Sequence, residues 1–269
     1  KNYQIKKKKP QDIYLYIKEY TIDRRKITIY SEKKINNYYI NKIDKILNFF
    51  DSIFYMENKK KMYLIEIYLN DIPKVLSKDY PEACKENINS ASNLLKKRHI
   101  VIYRKEEWSK ILIHELIHYL NLHIYLFQKD LLYAFKDIKT NSIIKPNEAY
   151  TEFLSLIFYY FIFHEKEINR KLNCELAWGF IQTARVLKSK NINKYQQLFS
   201  KEYKQNTSLL SYYLLKTYFL FNERFQKAII LYYRDKNEDN YFQDINLKDR
   251  KFHKIVDYCL ENLDENKTL

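Results

Sequence analysis

The chain has 269 residues, 46% hydrophobic and 17% aromatic, with 48 Lys+Arg against 33 Asp+Glu for a net charge of +15. One glycine, Gly179, and four prolines exclude the glycine-built phosphate cradles of P-loop and dinucleotide folds, as well as collagen-like and Gly/Ser-linker chains. The length suits one domain, or two closely joined ones, around a sizeable core.

Residues 1–60 are the most basic stretch, with Lys6–Lys9, Arg24-Arg25-Lys26, Lys33-Lys34 and Lys59–Lys61. Such runs form solvated surface. Lys26 to Tyr30 alternates as a strand does, and residues 39–54 place Ile40, Ile43, Ile46, Leu47 and Phe50 at helical spacing. Met62 to Leu69 and Ile100 to Tyr103 read as further strands. Lys105-Glu106-Glu107 then reads as a charged helix start. From there the pattern is helical, over about 105–124, 146–166, 168–189, 207–221, 223–234 and 248–263. Pro146 stands at a helix's first turn, where its missing N–H costs nothing. Gly179 falls inside a helix, at a cost of about 1 kcal/mol relative to alanine, so close helix packing is its expected reason. The expected fold is α+β: a basic α/β segment over 1–60, then 61–269 with a predominantly helical C-terminal half, the two forming one compact unit.

The residues that carry chemistry are His114-Glu115-Leu116-Ile117-His118. At about 100° per residue, His114 and His118 lie roughly 40° apart, one turn along a single helix face. Both imidazoles can hold one zinc ion, with Glu115 beside them to work on a water. Ile111, Leu112, Ile113, Leu116, Ile117 and Leu120 surround the pair with apolar residues. A catalytic zinc site also needs a third protein ligand and an open position. His123 sits about 140° around the helix from His118, and the spacing of a metzincin fails at Asn121 and Ile124. His164 lies three turns beyond Glu152 and reads as a helix-end histidine.

Asn147-Glu148-Ala149-Tyr150-Thr151-Glu152, with the His-Glu-x-x-His helix before it, resembles the paired motifs of the gluzincin (thermolysin-like) zinc peptidases. Arg104-Lys105-Glu106-Glu107-Trp108, the Glu148 to Phe153 stretch and Ser211-Tyr212-Tyr213 also resemble an uncharacterised set of gluzincin-like proteins of giant DNA viruses. The resemblance implies a zincin-like active-site helix and a peptide or protein substrate, with Glu148 as third zinc ligand. Glu152 is then the carboxylate that orients His114. The one-turn spacing of Glu148 and Glu152 supports this independently, because a metal-bound histidine usually donates its second N–H to a carboxylate. Glu148 is also a first-turn acid favoured by the helix dipole.

In that scheme Glu115 is the general base, and Tyr212 or Tyr213 is the donor to the oxyanion. With 27 tyrosines in the chain, either is equally readable as a core or rim aromatic. Substrates of such enzymes add a strand beside a sheet edge. The segment Asn87–Asn93 is readable either as that edge or as a plain loop. The basic surface also admits a DNA-associated protease, although lysine outnumbers arginine, which nucleic-acid readers prefer. A non-enzymatic zincin-fold binding protein is the third alternative.

Cys84, Cys174 and Cys259 make no disulfide or zinc framework and fit a reducing, intracellular compartment, cytoplasmic or, given the viral resemblance, host cytoplasm or virion. No apolar stretch follows Lys6–Lys9, so no secretory signal is expected. The longest apolar run, Phe153–Phe163, is too short to span a bilayer and is expected to be a core helix.

Overall fold

The computed structural model describes residues 14–23, 25–53, 63–71, 90–94, 98–122, 136–140, 145–203, 209–223, 226–227 and 246–263. Its α+β composition is the one expected: a small mixed sheet in the N-terminal half and helices thereafter. The chain divides into two compact units, one of residues 1–73 with 90–121 and the other of residues 74–89 with 122–269.

The first unit is built on a five-stranded sheet of β1 (Tyr16–Ile22), β2 (Arg25–Ser31), β3 (Tyr63–Tyr68), β4 (Ala91–Leu94) and β5 (His99–Ile102), in the order β1-β2-β3-β5-β4. The three central strands β2, β3 and β5 are parallel, and β1 and β4 are antiparallel additions at either side. Residues on both sides of position 60 therefore share one sheet. The β-branched side chains of the central strands explain the pairing. On one face Ile27, Ile29, Ile65, Ile67, Ile100 and Ile102 are all buried.

Two helices carry the complementary apolar stripes. In α1 (Asn37–Ile53) Ile43, Ile46, Leu47 and Phe50 are buried, and in α2 (Trp108–Tyr119) Leu112, Ile113, Leu116 and Ile117 are. The stripe of α1 is the i, i+3, i+4, i+7 pattern of one helix face. Arg25 of β2 grips Asp51 of α1 through both guanidinium nitrogens. The ring of Tyr63 on β3 lies 4.6 Å from that of Tyr119 on α2.

The second unit is helical: α3 (Pro146–His164), α4 (Ile168–Lys188), a π-helical turn (Leu210–Leu215) running into α5 (Lys216–Phe221), and α6 (Arg250–Glu261). Pro146 occupies the first position of α3, as expected. Phe153–Phe163 lies within α3, where Phe153, Leu154, Leu156, Tyr160 and Ile162 are buried. Asp249 caps α6 by accepting from the backbone N–H of Lys251 and of Phe252, at 2.8 and 3.0 Å, the use of an N-cap aspartate. Phe252 then centres an aromatic cluster with Phe180, Tyr195, Tyr218 and Phe221, at ring separations of 5.2 to 5.7 Å.

Gly179 has the packing reason its position suggests. A Cβ there would press into Thr217 of α5, with Cγ2 at 3.2 Å and Cβ at 3.3 Å, and closer still to the hydroxyl. Among the described residues, no helix is long and apolar enough to cross a membrane. His123 and most of the helix expected over 223–234 lie outside the described residues.

Candidate metal centre

The first half of the site begins where the sheet hands over to α2. Beyond β5, the Tyr103 N–H donates to the Ser90 carbonyl at 2.8 Å, holding the chain against the lead-in to β4. Asn70, just past β3, donates its side-chain N–H to the Tyr103 carbonyl at 3.2 Å and accepts the Lys105 N–H on its own carbonyl at 2.9 Å. Glu107 then takes φ 55° before the first helical residue, a left-handed conformation uncommon for a side chain of this kind. Lys105, Glu106 and Glu107 therefore form a turn, and the helix starts at Trp108 rather than at the expected 105.

On α2 the apolar stripe fixes the roll of the helix, and the roll fixes the histidines. His114 and His118, one turn apart, lie beside the buried stripe and are partly buried. Their rings are 4.7 Å apart between centroids, and their Nε2 atoms are separated by 3.0 Å. Two nitrogens bound at about 2.0–2.1 Å to one tetrahedral ion stand roughly 3.3 Å apart, so the pair already has nearly the separation a shared ion requires. Glu115 is buried, at 8% exposure. Burial raises the Tyr103 phenol above its ordinary range and the charge of Glu115 adds to the rise, while a hydrogen bond from Ser92 of β4 opposes it.

The second half is the first turn of α3. Glu148 is an acid in that turn, where the exposed backbone N–H groups favour negative charge. The Tyr212 hydroxyl donates to Glu148 Oε2 at 3.1 Å. The neighbouring Ser211 hydroxyl accepts the backbone N–H of Lys145, the residue before the helix, at 3.2 Å.

His114, His118 and Glu148 form a group of three that can hold a metal ion: one ligand atom from each lies within 4.8 Å of the other two. Two imidazoles and one carboxylate are a donor set suited to a catalytic divalent metal.

The other expected site residues fall as follows. Glu152 is one turn beyond Glu148 on α3, half-buried, and its backbone carbonyl accepts the Ser155 hydroxyl at 2.8 Å. Tyr213 sits next to Tyr212 in the π-helical turn, half-buried. His164 closes α3 against the rings of Tyr159 and Tyr160. Tyr212, one of the two tyrosines readable as an oxyanion donor or as a core or rim aromatic, donates its hydroxyl to the Glu148 carboxylate. The positions of Asn70 and Ser211 depend on hydrogen bonds to residues 33 and 66 positions away in the chain, so the contacts they make carry no local sequence signal.

No known family profile matches the chain, and no curated protein matches it.

Proposed function

We propose that the protein is a zinc-dependent hydrolase of gluzincin type that cleaves peptide bonds, with Glu115 as general base. The observation that supports this best is the convergence of His114, His118 and Glu148 with a buried carboxylate, Glu115, next in the chain to His114. His₂Glu is a catalytic zinc set. A zinc ion held there supplies Lewis-acid polarisation of the scissile carbonyl and acidifies a water.

The chain's own residues do the rest. Glu115 accepts a proton from the attacking water as its oxygen bonds to the carbonyl carbon. It returns a proton to the amine as the C–N bond breaks. Glu152, on the same face of α3 as Glu148, orients His114 by accepting its second ring N–H. Tyr213 is a candidate donor to the developing oxyanion.

Substrate binds along β4. Among the described residues β4 pairs with β5 alone, so its outer side accepts an extended peptide as an added strand. Of the segment Asn87–Asn93, readable as a sheet edge or as a plain loop, residues 87–89 lie outside the described residues and residues 91–93 belong to this strand, which runs Ala91–Leu94.

The test is cleavage of a mixed peptide library by the zinc-loaded protein. Cleavage is expected to stop with a chelator and return with zinc. Glu115→Gln is expected to keep its zinc and lose about 10²–10⁴-fold in rate. Undiminished hydrolysis by that variant would remove Glu115 from the chemistry. Stoichiometric zinc without hydrolysis of any peptide would favour a binding protein on a zincin fold.

A further inference from the structure

We propose that Ser211 and Tyr212 clamp the first turn of α3 and so pre-set Glu148 for the metal, which makes Tyr212 a positioning residue for the third ligand. The proposal rests on the assignment of Glu148 as that ligand.

Three observations combine. Lys145, the residue that opens α3, has no side-chain cap of its own. The fully buried Ser211 hydroxyl accepts its N–H at 3.2 Å. Three residues on, Glu148 accepts the Tyr212 hydroxyl on Oε2 at 3.1 Å. The two bonds therefore hold the backbone start of the helix and the side chain that points out of its first turn.

Both partners come from consecutive residues of the π-helical turn Leu210–Leu215. Ser211 and Tyr212 both reach the same turn of α3. π-helical turns are rare and recur at functional sites.

Fixing the glutamate rotamer in advance removes an ordering cost that metal binding would otherwise carry. Partners that orient a metal ligand in this way typically contribute 10–100-fold in metal affinity.

This role is separable from donation to an oxyanion. An oxyanion donor acts only during turnover, so its loss lowers kcat and leaves resting metal affinity alone. A ligand clamp acts on the resting protein.

The experiment measures zinc affinity of the full chain by competition with a chromophoric chelator, together with the visible spectrum of the cobalt-loaded protein. Tyr212→Phe is expected to weaken zinc binding 10–100-fold and to alter the cobalt bands, and Ser211→Ala to weaken binding in the same direction. Should Tyr212→Phe fail to fold, as judged by circular dichroism, the Ser211→Ala result decides. Unchanged affinity and an unchanged cobalt spectrum in the folded variants, with or without a loss of kcat, would overturn the clamp. A Glu148→Ala arm separates the two levels. If that variant binds zinc as tightly as the wild type, the ligand assignment has failed and the clamp with it.

Discussion

His114 and His118 present their Nε2 atoms to each other at 3.0 Å across one turn of α2. Two imidazole nitrogens in that relation share either a proton or an ion. Replacing either with alanine is expected to abolish stoichiometric zinc binding while the apo protein stays folded, because both rings lie outside the buried stripe of Leu112, Ile113, Leu116 and Ile117. Zinc content after dialysis, read beside circular dichroism, checks this. A single-histidine variant that retains one ion per chain would show that the metal lies elsewhere.

The chain's one glycine makes a second prediction. Gly179→Ala forces a methyl group against Thr217, and overpacking of this kind costs about 1–3 kcal/mol. In a Thr217→Ala background the hydroxyl and methyl that block it are gone. The same substitution is then expected to be neutral or to stabilise by up to about 1 kcal/mol through helix propensity. Chemical denaturation of the two singles and the double gives the coupling. Additive effects would mean that Thr217 is not what the glycine avoids.

The Arg25–Asp51 pair joins β2 to α1, with the Arg25 side chain 6% exposed and that of Asp51 19%. Asp51→Ala leaves a buried guanidinium without its main partner, a defect that costs about 3 kcal/mol or more. The double variant Arg25→Met, Asp51→Leu is expected to be less destabilised than Asp51→Ala alone, since an apolar pair removes the unpaired charge. Urea unfolding midpoints decide. Equal midpoints for the single and the double variant would contradict the prediction.

Stability is also expected to depend on alkaline pH through Tyr30. Burial first, then the charge and hydrogen bond of Glu66, push its phenol from the usual 10.0 up to about 12. The folded state thus holds the proton more tightly than the unfolded chain. Its contribution is complete below pH 10 and is lost as pH rises toward about 12. Tyr30→Phe has no phenolic proton to lose, so its stability is expected to fall less steeply over that window. Thermal unfolding at stepped pH checks the slope; parallel slopes for the two proteins would contradict it.

The parts of the fold legible in the sequence are those governed by local period and composition. The helix of residues 39–54 was readable because Ile43, Ile46, Leu47 and Phe50 form its buried stripe. The start of α3 was readable from Pro146. β1 was not, because none of its seven residues is buried, so it carries no apolar face to betray it. The π-helical turn is indistinguishable in the sequence from part of a helix over 207–221, since an apolar run looks alike in either helix. The start of α2 at Trp108 is not legible in the charged run at residues 105–107, because the turn before it depends on Asn70, 35 positions away from Lys105. The histidine pair followed from helical spacing alone, and Glu148 from its motif. The hydrogen bond from Tyr212 to Glu148 spans 64 residues and is one tyrosine's choice among 27, which no local pattern specifies.

The most direct test of the zinc assignment is anomalous diffraction at the zinc edge from crystals of the zinc-loaded protein. The expected result is a single strong peak bonded at about 2.0–2.2 Å to His114 Nε2, His118 Nε2 and one Glu148 carboxylate oxygen. A peak that leaves Glu148 out of bonding distance, or no peak at the two histidines, would contradict the account.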